Sequence, residues 1–520
     1  MNVNPILLEV FKHRFASIAE EMGVTLNRTA FSPNIKERRD FSCAVFDSKG
    51  SMVAQAAHIP VHLGSMPLSV RAAIDSAPLA DGDMVMLNDP FRGGTHLPDI
   101  TLVAPVFFNG DSPSYYVANR AHHADVGGMS SGSMPLSSSI FQEGIIIPPV
   151  KIMEAGTINS SLMGFLLSNV RTPVEREGDF AAQIMANVTG SKRIRDLLET
   201  YDLETVDFYA GSLVDYAERI TRETIRQIPD GSYEFEDAME DDGLSKSPIK
   251  IHVVLRIAGD EATVDFSGSD DQVKGGVNAV YAITLSAVLY VFRSLIDQDI
   301  PTNAGCFRPI RVITRKKTIV DADFPSAVAG GNVETSQRIV DTLLGALSQA
   351  LPERIPAASQ GTMNNITIGG TDPGTGLPFA YYETIGGGMG ATSRSHGTSA
   401  VQSHMTNTLN TPVEALEYSY PFRVQEYAIR KDSGGQGAFC GGDGIVREIK
   451  LLADAEVTML SERRKQGPYG LSGGRPGKTG RNILIREKRI EEKPGKFSAL
   501  LKKEDVIRIE TPGGGGFGEP

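Results

Sequence analysis

The 520-residue chain is 41% apolar and 22% charged, which is the composition of an ordinary folded protein. Its net charge of −12 argues against a protein that binds nucleic-acid phosphates, since such proteins are usually basic. Because the sequence has no run of 18 or more apolar residues, a conventional membrane-spanning helix is also excluded.

The N-terminus and the cysteines indicate a cytoplasmic protein. The first residues lack a basic start, and charged residues interrupt them after a few apolar ones, unlike a secretion signal. Cys43, Cys306 and Cys440 are odd in number and lie outside any C-x-x-C pair. We therefore expect neither a disulfide framework nor a structural zinc site.

The hydrophobic pattern predicts a mixture of helices and short strands. Helical spacing is found over 5–28, 158–228, 278–296 and 337–351. Alternating runs bounded by Gly, Pro, Asp or Asn predict strands at 41–46, 52–56, 83–87, 100–107 and 115–121, with a strand pair at 249–257 and 262–266. From residue 363 onward the chain has short strands joined by glycine loops.

These elements predict a multi-domain α+β (mixed α/β) fold with several long helices and glycine-rich loops joining short strands. The 54 glycines come in short clusters inside ordered sequence, which marks tight turns or close backbone approach. We place weak domain boundaries near 235 and 330. They give an N-terminal domain (1–235), a middle domain (236–330) and a β-rich C-terminal domain (331–520).

Two polar segments follow neighbouring predicted strands in the N-terminal domain. The first is NDPFRGGTHLPD (88–99), in which His96 and Asp99 can point at one ion, and the second is NRAHHADVGG (119–128). Two such loops can bring His96, Asp99 and His122 into one coordination sphere with an open position for water or substrate. Imidazole and carboxylate ligands suit zinc, manganese or iron. The alternative is a hydrogen-bonded polar loop that holds no metal.

Other polar residues are weaker candidates. Asp40 abuts a predicted strand and could supply a further carboxylate, although a charged turn is the favoured interpretation of segment 36–42. His58 and His62 flank a proline, which disfavours a helical ligand pair, so we interpret them as structural or pocket-lining.

A second polar region lies near the C-terminal end of the chain. It is dense in side chains that could hold a substrate amide, or that could form only a network of turns: Glu383, His404, Asn407 and Asn410.

No complete nucleotide-binding motif is present. The segment GGRPGKT (473–479) resembles a phosphate-binding loop but has Ser472 where the motif needs glycine. The segment GMSSG (128–132) fits the G-x-S-x-G pattern of a nucleophilic serine, but a proline follows shortly after and the strand-turn-helix context is missing.

Long motifs throughout the chain resemble the hydantoinase B/oxoprolinase family. The segments that carry the resemblance are RRDFSCAVFD (38–47), HIPVHLGSM (58–66), GDMVMLNDPFRGGTHLPDI (82–100), NRAHHADVGGMSSGSMP (119–135), FQEGIIIPPVKI (141–152), GNVETSQRIVD (331–341), SHMTNTLNTPVEALE (403–417), GGDGIVRE (441–448) and ETPGGGGFG (510–518).

The resemblance implies the metal-containing B-type subunit of an ATP-dependent cyclic amide hydrolase. Its substrate would be a hydantoin, N-methylhydantoin, 5-oxoproline or a related lactam. An A-type partner subunit would bind ATP and phosphorylate the carbonyl oxygen, in a hetero-oligomer such as α2β2. This chain would bind a divalent metal (Zn, Mn or Fe) and hydrolyse the activated intermediate, because metal-bound water is deprotonated near neutral pH.

The family pattern also implies which residues act. The metal ligands fall on His96, Asp99 and His122, with Asp40 as the matching acid, and Asp125 would orient a ligand imidazole. His122 is favoured over its neighbour because the family pattern A-H-x-x-D-[IV]-G-G fixes the first histidine. The predicted catalytic residues are Asp40, His122 and Asp125. Two alternatives stay open: a subunit of an ATP-dependent ketone carboxylase, and a scaffold subunit whose metal is structural.

Overall fold

A long amphipathic helix opens the fold. The computed structural model describes residues 3–56, 59–487 and 489–520, so His58 lies outside the described residues. Helix α1 (Pro5–Thr29) begins after Asn4, whose side chain accepts hydrogen bonds from the first N–H groups of the helix. Its buried stripe repeats every three or four residues: Phe11, Phe15, Ile18, Met22 and Leu26.

An antiparallel sheet forms the centre of the N-terminal part. Its strands are β1 (Phe41–Asp47), β2 (Met52–Gln55), β3 (Met84–Leu87), β4 (Asp99–Phe107), β5 (Pro113–His122), β6 (Val150–Glu154) and β7 (Thr157–Ile158). Their order across the sheet is β2-β1-β5-β4-β3-β6-β7. The five strands predicted in this region are confirmed, whereas β6 and β7 were missed because they are short and partly exposed.

Helices cover both faces of this sheet. They are α2 (Pro33–Lys36), α3 (Ser65–Ser76), α4 (Ser160–Leu167), α5 (Pro173–Tyr201) and α6 (Leu203–Arg226). Helix α5 packs on β4 and β5 and against α1, while α3 packs on the opposite face. Strand β4 is buried along almost its whole length, as expected for a strand covered on both faces.

A second sheet and two helices follow. The sheet has the order β11-β10-β9-β8, from β8 (Gly231–Met239), β9 (Ile249–Ala258), β10 (Glu261–Asp265) and β11 (Ile310–Ile313). Helix α8 (Ser336–Ala350) packs on β8 and β9 and against α7 (Tyr281–Ser294). Strand β8 was missed because it is an acidic run, in which half-buried Tyr233 and Phe235 alternate with exposed glutamates.

The C-terminal part is rich in strands. It contains β12 (Asn365–Thr371), β13 (Pro378–Glu383), α9 (Val413–Ser419), β14 (Phe422–Arg430), β15 (Gly444–Leu451), β16 (Ala455–Leu460), β17 (Arg481–Arg486), β18 (Arg489–Lys493), β19 (Lys496–Leu501) and β20 (Val506–Glu510). Two sheets, β13-β12-β16-β19 and β14-β15-β20-β17-β18, share one apolar core. The predicted α+β class is confirmed.

The largest apolar core joins all three predicted domains. It extends from Phe11 in α1 through Phe266 to Leu347 in α8. Position 235 falls inside β8, and position 330 directly precedes a π-helical turn at Gly331–Thr335. The domain boundaries stay predictions. Among the described residues, no helix is both long and apolar enough to span a membrane.

Candidate metal centre

The register of two neighbouring strands builds the candidate site. Asp99 is the first residue of β4 and His122 is the last residue of β5, and the antiparallel register places them directly opposite each other. His96 lies one turn before Asp99, whose N–H donates to the His96 carbonyl at 3.1 Å. Sheet pairing and one tight turn therefore bring the three side chains to one point.

The three side chains form a compact, buried group. One ligand atom from each of His96, Asp99 and His122 lies within 4.8 Å of the others. His96 Nε2 is 3.3 Å from Asp99 Oδ1 and 3.2 Å from His122 Nδ1, and His122 Nδ1 is 3.2 Å from the same carboxylate oxygen. Two imidazole nitrogens and a carboxylate oxygen thus converge on a single small volume.

The charge state of this group suits a cation. Burial opposes ionisation of Asp99, but the nearby His96 and His62, with hydrogen bonds from His122 and His62, hold the pKa of Asp99 well below its usual range. Burial lowers the pKa of His122, and the neighbouring Asp99 and Asp40 offset that effect only in part. The site therefore offers a carboxylate and a neutral imidazole, the forms in which these groups bind metals.

Unpaired polar atoms also fit a metal ion. His122 Nε2 is buried and has no hydrogen-bond partner among the described residues, and neither has Oδ1 of Asn332, which lines the same cavity. Buried polar atoms without partners are rare in folded proteins and need an explanation such as a missing ion. The donor set fits zinc, manganese or iron equally.

A second layer of hydrogen bonds orients the three side chains. Thr95 Oγ1 donates to Asp99 Oδ2 at 2.6 Å, and His62 Nε2 lies 3.3 Å from the same oxygen. His62 Nδ1 is in turn 2.9 Å from Ser42 Oγ. His96 Nδ1 lies 3.3 Å from the carbonyl oxygen of Ala329. Such partners fix the rotation and tautomer of metal-binding side chains.

The two adjacent histidines face different ways. His122 belongs to the cluster, whereas His123 Nε2 is 2.9 Å from Gln183 Oε1 on α5 and its ring contacts Phe180. The alternation of side chains along β5 explains the difference. This arrangement agrees with the choice of His122 from the family pattern.

The two predicted acidic partners, Asp40 and Asp125, have different neighbours. Asp40 lines the same cavity, and its backbone carbonyl accepts a hydrogen bond from the His122 N–H at 3.0 Å. Both carboxylate oxygens of Asp125 are bound by Arg171, one by its backbone N–H at 2.7 Å and one by its guanidinium at 2.8 Å. The catalytic roles of Asp40 and Asp125 stay predictions.

The cavity at the cluster is small. It has about 20 Å³ of space, enough for one water molecule or an ion but too little for a lactam ring. The residues that line it are Asp40, Ile59, Val61, His62, Asp99, His122, Asn332, Val333, Met363, Tyr382, Thr384, Met405 and Thr406.

A second, open pocket has a volume of about 470 Å³ and is lined by sequence neighbours of residues that line the cavity. Arg39 and Phe41 line the open pocket, while Asp40 between them lines the cavity. Asn407 and Thr406 divide in the same way. Arg39 has a left-handed backbone with φ of 56°, which is uncommon for a residue other than glycine.

None of the four predicted substrate residues is among those that line the cavity at the cluster. Asn410 Nδ2 donates to Glu383 Oε1 at 3.0 Å, and buried Glu383 also contacts Arg447. His404 Nε2 lies 3.5 Å from Asp341. Asn407 lines the open pocket. The substrate-binding roles of Glu383, His404, Asn407 and Asn410 stay predictions.

Sequence reasoning missed two neighbours of the cluster. The ring of Tyr382 stacks on the ring of His122, with centroids 4.4 Å apart and an angle of 17° between the planes. Asn332 Nδ2 lies 3.0 Å from His96 Nε2. Asn332 stands in a segment that resembles the family and Tyr382 does not, and neither residue type has a spacing that signals a metal site.

The fold and the site define an α+β protein with a buried histidine–carboxylate cluster. The sequence model of the hydantoinase B/oxoprolinase family matches residues 4–520, so the chain belongs to that family. It is 41% identical to 5-oxoprolinase 1 of Arabidopsis thaliana, over 99% of this chain and 42% of the relative. The chain thus spans less than half of that relative.

Two solved structures share the fold. The ATP-dependent caprolactamase from Pseudomonas jessenii is 29% identical with a TM-score of 0.93, and the match covers 100% of this chain and 92% of that one. A nucleotide-free acetone carboxylase matches with a TM-score of 0.92 at 19% identity, over 99% of this chain and 76% of that chain. At that identity the second likeness shows the fold alone.

Proposed function

We propose that this chain is the metal-containing B-type part of an ATP-dependent cyclic amide hydrolase acting on a hydantoin, N-methylhydantoin, 5-oxoproline or a related lactam. The observation that carries the proposal is the buried group of His96, Asp99 and His122. It lies in a chain similar to a 5-oxoprolinase and to a caprolactamase, two relatives whose names specify a cyclic amide.

ATP would be bound by a partner subunit and not by this chain. More than half of the Arabidopsis oxoprolinase lies outside the match, which leaves room there for a separate ATP-binding part. In this chain the incomplete phosphate-loop motif at 473–479 is followed by strand β17, not by a helix whose N-terminus could bind phosphate. We therefore propose an A-type, ATP-binding partner subunit in a hetero-oligomer such as α2β2, and a cytoplasmic location.

Activation by a partner addresses the chemical difficulty of the reaction. An unstrained amide resists hydrolysis because resonance stabilises its carbonyl group and its nitrogen is a poor leaving group. Phosphorylation of the carbonyl oxygen by the partner converts the amide into a stronger electrophile. This chain would then need only to deliver water to the activated carbon.

The residues in and around the cluster would have different roles in delivering water to the activated carbon. His96, Asp99 and His122 would hold a divalent ion, and such an ion supplies Lewis-acid catalysis and lowers the pKa of water. His62 and Thr95 keep the Asp99 carboxylate in place. Asp40 faces the same cavity, where its carboxylate can accept a proton from water.

The open pocket is the best-placed site for the substrate. Its volume of about 470 Å³ suits a small ring. Its lining residues Arg39 and Asn407 are direct sequence neighbours of Asp40 and Thr406, which line the cavity at the cluster. Exposed Arg39 at its edge has the charge to attract an anionic, phosphorylated substrate. Asn407 would offer the amide group that a cyclic amide can pair with.

Reconstitution with the partner tests the proposal. The chain should co-purify with an A-type subunit, and the complex should open a cyclic amide ring only with ATP when it is assayed on hydantoins, 5-oxoproline and caprolactam. Ketones with and without bicarbonate test the carboxylase alternative. Carboxylation of a ketone without any ring opening would contradict the proposal in favour of that alternative, and ring opening by the partner alone would support the scaffold alternative.

A further inference from the structure

We propose that Asn332 is a further ligand of the metal ion, through its side-chain oxygen Oδ1. The inference rests on the proposed metal centre and adds a neutral side-chain amide to its histidine and carboxylate ligands. Asn332 belongs to the π-helical turn Gly331–Thr335, directly before α8. Such turns occur frequently at functional sites.

The position of the amide carries the proposal. Asn332 Nδ2 lies 3.0 Å from His96 Nε2 and 3.5 Å from Asp99 Oδ2, so the amide group faces two of the three residues of the cluster. The residue is 4% exposed and lines the same cavity as His122. Its oxygen is buried and has no hydrogen-bond partner among residues 3–56, 59–487 and 489–520.

The hydrogen bonds around His96 decide which amide atom an ion would meet. The carbonyl of Ala329 can only accept, so His96 Nδ1 carries the proton and Nε2 presents its lone pair to the cluster. Without an ion, the Asn332 N–H group can donate to that lone pair. An ion bound at Nε2 uses the lone pair and repels an N–H donor.

A half-turn of the amide removes this conflict. Rotation by 180° exchanges the nitrogen and oxygen positions without changing the shape of the side chain. Oδ1, which is unpaired in the present orientation, then faces the ion. Amide oxygens are suitable ligands for harder divalent ions such as Mn²⁺.

The backbone holds Asn332 against the cluster. Ser336 Oγ donates to the Asn332 carbonyl at 2.6 Å. A Cβ atom on Gly331 would lie 1.8 Å from the carbonyl oxygen of Asn278, so only glycine fits where the turn meets that neighbour. One short segment thus contacts both ring nitrogens of His96, with the Ala329 carbonyl at Nδ1 and the Asn332 amide at Nε2.

Metal affinity tests the proposal directly. Dissociation constants for Mn²⁺ and Zn²⁺ would be measured by competition with a chromogenic chelator on the metal-free full-length chain. Asn332→Ala should weaken binding by about 10–100-fold, the usual cost of losing a side chain that supports a metal site. Asn169→Ala is the matched control, because it removes an exposed amide that is distant in sequence from Asn332. It should bind the metal as tightly as the wild type does.

A second, isosteric variant keeps the test valid if Asn332→Ala does not fold. Asn332→Asp supplies a charged oxygen in the same place, so it should bind Co²⁺ at least as tightly as the wild type and shift its visible absorption spectrum. Wild-type affinity in Asn332→Ala, or an unchanged affinity and cobalt spectrum in Asn332→Asp, would overturn the assignment. If Asn332→Ala keeps the wild-type affinity for the metal but raises the KM for the cyclic amide in the assembled enzyme, Asn332 is a substrate contact and not a metal ligand. A wild-type chain that binds no metal would overturn the metal centre itself.

Discussion

The orientation of the His96 ring depends on the carboxyl group of Glu143, which acts through the backbone of Ala329. Glu143 is fully buried, and its Oε1 accepts hydrogen bonds from the N–H groups of Val328 at 2.9 Å and Ala329 at 3.0 Å. The carbonyl of Ala329 then faces His96 Nδ1 at 3.3 Å. Glu143 therefore positions the backbone that orients a candidate metal ligand, and loss of that acceptor would leave two N–H groups unpaired.

The ionisation of Glu143 should be visible in the pH dependence of stability. Burial raises the pKa of Glu143 from 4.5 to about 7, although hydrogen bonds from Ser137, Ala329 and Val328 oppose the shift. Because the folded-state pKa lies above the unfolded one, this contribution to stability is fully present below about pH 4.5 and is lost as the pH rises through about 7. Glu143→Gln cannot ionise and should lose less free energy of unfolding over that range.

Urea denaturation at several pH values measures this difference. Glu143→Leu serves as the second variant, because it lacks any acceptor and should be destabilised by about 1–3 kcal/mol at every pH. If wild type and Glu143→Gln lose stability in parallel between pH 4.5 and about 7, the carboxyl does not titrate as described.

At the scale of elements, the alternation of apolar residues and the turn residues between them predicted β1 to β5 with nearly correct bounds. The two strands that precede the polar loops, β3 and β5, are however separated by β4 in the sheet, and pairing of β4 with β5 brings Asp99 and His122 together. The β4–β5 register follows from the short connection between two strands that are buried on both faces. Strand β8 was not predicted because its exposed face is acidic. The π-helical turn was not predicted because its hydrogen bonding leaves no pattern in the sequence.

The C-terminal glycine run has a structural reason that can be tested. Segment 513–516 lies so close to neighbouring backbone that a Cβ atom on Gly515 would stand 2.0 Å from the carbonyl oxygen of Tyr469. Because the clash is with backbone, Gly515→Ala should cost at least the 1–3 kcal/mol or so that is typical of overpacking. Thermal denaturation measures the loss.

A glycine with free space around it provides the control. Gly211 lies in α6 with no atom within 4 Å of its hypothetical Cβ, so Gly211→Ala should keep or raise the melting temperature, since alanine favours a helix by about 0.5–1 kcal/mol. Equal melting temperatures for Gly515→Ala and the wild type would show that the glycine run is not constrained by packing.

At the scale of the whole molecule, the candidate site is assembled from distant parts of the sequence. His96 and Asn332 are 236 positions apart, and the ring of Tyr382 reaches His122 from β13. Sequence spacing could identify the local pair His96 and Asp99, but only the tertiary packing that brings Asn332 and Tyr382 to them shows what encloses them. The open pocket, which Asn407 lines, depends on the same tertiary packing.

The chain alone should not bind ATP. Its incomplete phosphate loop leads into β17, so the helix N-terminus that such a loop needs is missing at that place. Isothermal titration calorimetry of the isolated chain with Mg-ATP should therefore show no binding heat. Micromolar affinity would contradict the division of labour between this chain and a partner.

The central claim is that the cluster of His96, Asp99 and His122 holds a divalent ion that ring opening requires. It is tested by measuring metal content and ATP-dependent cyclic amide hydrolysis together, in complexes of the partner with the wild-type chain, His96→Ala or His252→Ala. His252 is a control histidine in β9, paired with Glu234. We expect His96→Ala to lose both metal and hydrolysis, and His252→Ala to keep both. Full metal occupancy in folded His96→Ala, or full hydrolysis from a metal-free complex, would contradict the account.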